Sequence, residues 1–279
     1  MLLRCRSRTL DLTRPRVMGI LNVTPDSFSD GGLHLDPERA VAAGRRMVEQ
    51  GAAIVDVGGE STRPGAAPVP TAEERARVVP VIEALARSSD AVISVDSSNP
   101  EVIQAALEAG AHLVNDVRAL RAPGALEGAA AAGAAVCVMH MSGEPATMQA
   151  DPRYDDVVGE VRAFLRERVE ACRAAGIAAD AICVDPGIGF GKTMQHNLAL
   201  LRGLGALADL GVPVLVGVSR KSMIGMITGR PPAGRDLGSA VLAAFCVERG
   251  ARIVRAHDVA ATVDALAVAE AWLDGPART

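Results

Sequence analysis

The sequence predicts an α/β fold, a parallel barrel of the TIM (β/α)8 type with a short N-terminal β-hairpin at its floor. Three observations lead there. Short β-branched apolar runs alternate with Ala/Leu/Glu/Arg-rich stretches along the chain, and there are eight such runs. The length of 279 residues suits one barrel of about 250 residues. No Ser/Gly/Pro-rich linker divides the chain, so residues 1–279 read as a single domain.

The strands fall at 17–22, 54–58, 92–96, 113–115, 136–140, 182–185, 214–217 and 253–256. They are short and apolar, as strands covered on both faces must be. Between them, 37–50, 72–88, 100–109, 122–132, 155–175, 197–210 and 237–248 can form helices, and 260–273 forms a last helix after strand eight. Helix punctuation agrees. Asp36-Pro37-Glu38 places a cap before a proline at the first helical position, and Gly51 follows; Asn99-Pro100-Glu101 and Gly110 repeat the arrangement. Residues 2–16 fall outside the repeat and are expected to form the hairpin. Periodicity alone also fits an open doubly wound sheet; the count of eight decides for the barrel.

Composition narrows the function. Net charge is −4, aromatic residues are 2% and no basic tract occurs, which argues against a nucleic-acid partner. The cysteines, Cys5, Cys137, Cys172, Cys183 and Cys246, are odd in number and lack C-x-x-C spacing. A disulfide framework or zinc site is not expected, and a reducing compartment fits. The first residues carry charges where a secretory signal needs an apolar run. The longest uncharged stretches, near 128–143 and 210–219, are broken by Gly or Pro, so no membrane span is expected and the cytoplasm is the expected location.

Polar residues gather at one end of the strands. Asn22, Asp56 with Glu60, Asp96, Asn115, His140, Asp185, Ser219 with Lys221, and Arg255 with His257 lie at or just past strand C-termini. In a barrel these ends form one mouth, where active sites are built. A single strand-end Asp, such as Asp56, can equally cap the following helix. Capping does not call for Asn, Lys, Arg and His in the same ring.

Two nucleotide-binding patterns fail. Gly187-Ile-Gly-Phe-Gly-Lys-Thr193 has Pro186 where a phosphate-binding loop needs its first Gly, and Lys192 where a dinucleotide fingerprint needs its third. Cys137 and His140 would face opposite sides of a strand, so a core role suits His140 better than a metal.

The segments Met18-Gly-Ile-Leu-Asn-Val-Thr-Pro-Asp-Ser-Phe-Ser-Asp-Gly-Gly32 and Asp56-Val-Gly-Gly-Glu-Ser-Thr-Arg-Pro-Gly65 resemble those of dihydropteroate synthases. So do Ser94-Val-Asp96, Val114-Asn-Asp116, Met139-His-Met141, Asp185-Pro-Gly-Ile-Gly-Phe-Gly-Lys192, Gly217-Val-Ser-Arg-Lys-Ser-Met-Ile-Gly225 and Arg255-Ala-His-Asp258. They stand in the family's order over nearly the whole chain. Ser97-Ser98-Asn99 departs from the Thr and basic residue common there, past the expected pterin contact.

The resemblance implies a transferase joining a pterin diphosphate to 4-aminobenzoate in folate biosynthesis. It assigns the pterin to Asp96, Asn115, Asp185 and Lys221. It assigns the diphosphate to Ser61, Thr62, Arg255 and His257, with Mg2+ at Asn22. The arylamine falls to Phe190, Pro64, Ser222 and the stem of Lys221, with Arg63 closing over it. Arg255, His257, Lys221 and Arg63 are the implied catalytic groups, and a homodimer is the implied assembly. Physical chemistry suits these roles. A buried carboxylate accepts N–H groups from a pterin edge, cationic donors stabilise a leaving diphosphate, and a helix start offers N–H groups to a carboxylate. The connections 23–35 and 59–71 exceed the roughly 2–6 residues usual for βα loops and are expected to close over the mouth. Two other readings share the barrel: a pterin-binding methyltransferase domain of the corrinoid-dependent kind, and a non-catalytic pterin-binding paralogue.

Overall fold

A computed structural model describes residues 1–24, 36–60, 69–144 and 147–274. The eight barrel strands are β3 (Arg16–Asn22), β4 (Ile54–Gly58), β5 (Val92–Asp96), β6 (Leu113–Asp116), β7 (Ala135–Met139), β8 (Ile182–Asp185), β9 (Val214–Val216) and β10 (Ala251–Ala256). They close in the order β10-β3-β4-β5-β6-β7-β8-β9, every pair parallel. The expected barrel is therefore the observed one. Strands β4, β7 and β8 are buried along their whole length. Each Val, Ile or Leu so buried contributes about 1.5–3 kcal/mol.

The outer layer comprises α1 (Pro37–Glu49), α2 (Thr71–Ser88), α3 (Pro100–Glu108), α4 (Ala125–Ala131), α5 (Val157–Ala174), α6 (Met194–Arg202), α7 (Leu204–Ala208), α8 (Ser222–Thr228), α9 (Asp236–Glu248) and α10 (Val259–Asp274). Asp36 caps α1 through the Glu38 and Arg39 amides, and Asn99 caps α3 through the Glu101 amide. Gly51 (φ 100) and Gly110 (φ 107) take the left-handed turn that ends each helix.

The structure departs from the sequence reading in two helices. The stretch read as one helix over 197–210 is two, α6 and α7. Gly203 ends α6 against α5, where a Cβ would meet Val158 Cγ2 at 2.9 Å. Moreover α6 begins at Met194, because Thr193 and His196 form a reciprocal cap in which His replaces the usual Glu. The helix expected from 122 begins at Ala125. Asp116 binds the Arg118 and Leu120 amides (2.8 and 2.7 Å) and holds the chain in a turn, with Ala119 and Leu120 left-handed (φ 56 and 55).

Residues β1 (Leu2–Cys5) and β2 (Arg8–Asp11) form the antiparallel hairpin. It covers the N-terminal ends of the barrel strands. Arg6 donates to Leu107 O (2.8 Å) and Ala111 O (2.7 Å); Arg8 donates to Ala91 O (2.5 Å) and Ser89 O (2.6 Å). Beside them His112 Nδ1 accepts from Ile93 N at 3.1 Å, linking β5 to the start of β6. Among the described residues no helix is long and apolar enough to cross a membrane.

Burial first, then the cations of Arg8 and Arg6, push His112 down to about 4. An unfolded histidine titrates near 6.5. The stability this difference contributes is whole above about 6.5 and is lost as pH falls towards 4. Urea unfolding midpoints should therefore drop between pH 6.5 and 4, and His112→Asn, which keeps the acceptor but cannot titrate, should make that drop shallower.

Candidate active site

Register places the polar residues at one level of the mouth. Gly58 of β4 pairs with Asp96 of β5, Asp96 with Asn115 of β6, and Met139 of β7 with Asp185 of β8. Gly58 leaves room for its neighbour: a Cβ there would sit 3.4 Å from Asp96 Cβ. From β10, Arg255 reaches across the mouth. Its Nε donates to Asp56 Oδ2 and its Nη2 to Asp96 Oδ2, each at 2.6 Å. Asn115 Nδ2 donates to the same Asp56 oxygen at 3.0 Å. Asp56 is wholly buried, so it belongs to this network and does not cap a helix. The sequence had singled it out as a strand-end carboxylate without assigning it a site role.

These bonds leave a defined set of open groups. Asp96 Oδ1 and Asn115 Oδ1 carry no hydrogen bond to any described residue. Asp185 gives Oδ1 to the Gly187 amide (2.7 Å) and keeps Oδ2 open. Lys221 holds its Nζ 4.3 Å from the centre of the Phe190 ring. Three acceptor oxygens and one amine therefore gather at the strand ends. Burial pushes Asp96 up to about 7, with Arg255 pulling it down and Asp56 pushing it up. Burial likewise raises Asp185, against the Gly187 amide and Lys221. Burial lowers Lys221 to about 8, while Asp185 pulls it up and Arg255 down. For Arg255, burial opposes the charge, but Asp56 and Asp96 more than restore it and its pKa is raised.

Phe190 packs on an apolar cluster of Val117, Met139, Met141 and Met148. Ring, cluster and Lys221 thus lie together beside the polar groups. Lys221 precedes α8, and Ser222 is its exposed first residue. The loop between β9 and α8 is anchored from behind. Arg220 is left-handed (φ 54), a conformation costing an L-residue roughly 1–2 kcal/mol. It is held by a two-pronged pair with Asp236 (2.6 and 2.9 Å) and by Ser239 Oγ on its amide (2.9 Å). Ser219 Oγ accepts from the His257 amide (3.1 Å) and lies 2.9 Å from His257 Nδ1, which ties this loop to the end of β10.

Asn22 ends β3, and its side-chain amide has no hydrogen-bond partner among the described residues. No three His, Cys, Asp or Glu residues gather into a metal cluster among the described residues. A hard cation that keeps waters and leans on phosphate oxygens needs little more than one such carbonyl, so Asn22 fits that role and no fuller one. The structure thus brings Asp96, Asn115, Asp185, Phe190, Lys221, Ser222, Arg255, His257 and Asn22 to the mouth. Ser61, Thr62, Arg63 and Pro64 lie outside the described residues, as does most of both long connections. His140, read as a core residue, is buried and bonded to Lys192, a partner the sequence did not indicate.

Comparison with known proteins agrees with this geometry. Residues 18–257 match the family of pterin binding enzymes. A dihydropteroate synthase of Escherichia coli strain K12 is 51% identical over 273 residues, 98% of this chain and 97% of that one. The crystal structure of the Yersinia pestis dihydropteroate synthase with a sulfonamide drug complex superposes with TM-score 0.94 at 51% identity, covering 99% of this chain and 100% of that one. A Xanthomonas albilineans dihydropteroate synthase with 4-aminobenzoic acid superposes with TM-score 0.92 at 52% identity, covering 99% of each. With a mouth of this composition and relatives this close over nearly its full length, the chain belongs to the dihydropteroate synthase family of pterin-binding enzymes.

Proposed function

We propose that this chain condenses (7,8-dihydropterin-6-yl)methyl diphosphate with 4-aminobenzoate, giving 7,8-dihydropteroate and diphosphate. One observation carries the assignment of substrate to site. The open groups at the strand ends, Asp96 Oδ1, Asn115 Oδ1, Asp185 Oδ2 and Lys221 Nζ, complement a pterin edge rich in N–H donors with one carbonyl acceptor. Leaving such groups unpaired would cost about 1–3 kcal/mol each, so the match also selects the ligand.

Arg255 keeps Nη1 clear of described protein partners while Nε and Nη2 are spent on the carboxylates. That nitrogen and His257 serve the diphosphate, to which the family resemblance also assigns Ser61 and Thr62. As the carbon–oxygen bond to diphosphate breaks, the charge growing on the leaving group meets these donors. The arylamine nitrogen bonds to the freed methylene carbon and one N–H proton is released. The arylamine is a free base at neutral pH, so positioning replaces a strong general base. Phe190 and the Lys221 stem enclose its ring and Ser222 meets its carboxylate; the family resemblance assigns Pro64 and Arg63 to the same substrate. Sulfonamides, which share that shape, compete there. Asn22 would hold Mg2+, which supplies further charge stabilisation on the diphosphate.

The chain acts as a homodimer. Helix α9 exposes Leu237, Val241 and Phe245 at four-residue spacing, and neighbouring α10 exposes Val268 and Trp272. Trp272, the one tryptophan, is 82% exposed. Apolar stripes on paired helices are what a partner surface requires. Five buried, free cysteines suit the reducing cytoplasm.

Purified protein given both substrates and Mg2+ should release diphosphate and form dihydropteroate, and a chelator should suppress turnover; no product with Mg2+ present would overturn the assignment. Arg255→Ala should lower kcat by on the order of 10²–10³-fold, as loss of a charge-stabilising donor does, and should also weaken pterin binding by titration, because Asp56 and Asp96 lose the cation between them. Sedimentation should report a dimer that the double variant Leu237→Glu/Phe245→Glu converts to a folded monomer.

A further inference from the structure

The loop after β8 carries Phe190 between Gly189 and Gly191, and Gly187, Gly189 and Gly191 are all left-handed (φ 67, 82 and 62). A loop so rich in glycine should be mobile, yet side chains hold its backbone at nearly every residue. Gln149 donates to Gly189 O (2.5 Å), Tyr154 to Gly191 O (2.9 Å), and the Gly189 amide donates to Asn197 (2.8 Å). The centre of this scaffold is Lys192. Its Nζ, buried beneath the loop, lies 3.0 Å from Gly187 O, 3.0 Å from Phe190 O and 2.9 Å from His140 Nδ1.

His140 stands just past β7, with its ring edge-on to Phe164 at 5.0 Å between centroids. Burial, then the Lys192 charge, pushes it down to about 3, so the ring is uncharged at neutral pH, and in its Nε2–H tautomer Nδ1 accepts from the Lys192 amine. The amine therefore joins the end of β7 to both limbs of the loop. None of its partners is a group that touches substrate in the mechanism above.

We infer that Lys192 is a positioning residue: seated on His140, Gly187 and Phe190, it sets where the Phe190 ring stands and so shapes the arylamine slot. This rests on the reading that Phe190 walls that slot. Of the pterin contacts, Asp96 and Asn115 stand on strands that this amine does not touch; Asp185 is linked to it only through the Gly187 amide and is itself fixed on β8. Its removal therefore falls more heavily on the arylamine than on the pterin.

The test measures kcat, both KM values and Tm on the full chain. Lys192→Met should raise the KM for 4-aminobenzoate about tenfold, within what misplacing a positioned group costs, and leave that for pterin diphosphate within about threefold. His140→Leu should follow it, while His140→Asn, with an oxygen where Nδ1 lies, should restore a near-native value. An unchanged arylamine KM in Lys192→Met, or equal rises for both substrates, would overturn the inference. If Lys192→Met does not fold, the His140 pair decides, and indistinguishable KM values for Leu and Asn overturn it. Phe190→Ala separates the two readings. If it leaves the arylamine KM unchanged, the slot assignment falls and takes the inference with it. If it raises that KM and Lys192→Met does not, the inference alone falls.

Discussion

A guanidinium held between two buried carboxylates organises the mouth of this barrel. Arg255 leaves β10 and meets Asp56 and Asp96, which stand on β4 and β5 across the opening. None of these charges could be buried alone, because an ion without its partner loses several kcal/mol of solvation. Together they tolerate burial, and the geometry that permits this also aims the remaining atoms. Asp96 spends one oxygen on Arg255 and keeps the other. Asn115 spends its amide nitrogen on Asp56 and presents its carbonyl. The open groups are thus what remains once the internal charges are matched, and their directions follow from a network already in place before substrate arrives. Such preorganisation is what electrostatic catalysis requires.

The site divides into two kinds of support. Asp96, Asn115 and Asp185 stand on strands whose positions the barrel dictates. Phe190 and Lys221 stand on loops, with Ser222 at the helix start that follows, and each loop is braced by neighbouring side chains. Arg220 is kept in a left-handed conformation by Asp236 and Ser239, and Ser219 ties that loop to His257. Lys192 does the corresponding work under Phe190. Precision on a loop needs such bracing, since backbone freedom must be removed by bonds that the strands receive from their neighbours.

The sequence made the barrel and its polar ring legible because both are local patterns. An apolar run of five residues ending in Asp or Asn can be read without knowing its neighbours. Asp96, Asn115 and Asp185 were found in this way, Lys221 and Arg255 as polar residues at or just past a strand end, and the strands fell within a residue or two of their observed ends. What stayed hidden depends on residues distant in the chain. Asp56 was ambiguous because its partner Arg255 lies 199 positions away. Lys192 and His140 are 52 apart and meet only because β7 and β8 are adjacent. The break at Gly203 comes from Val158 on another helix. Local propensity is silent on all three. The early start of α6 is local but unusual: His196, three residues after Thr193, fills a capping position usually given to a carboxylate.

The hairpin under the barrel is fastened by a different sort of bond. Arg6 and Arg8 grip only main-chain carbonyls, those of Ser89, Ala91, Leu107 and Ala111. Every amino acid offers the same carbonyl, so those four positions can drift without loosening the clasp. Across the mouth, Arg255 with Asp56 and Asp96, and Asn115 with Asp56, bond from side chain to side chain, and a change on either partner is felt by the other. The molecule therefore has one end whose residues can vary independently and another whose residues must change together, and a lineage of such proteins would accumulate its substitutions unevenly between the two.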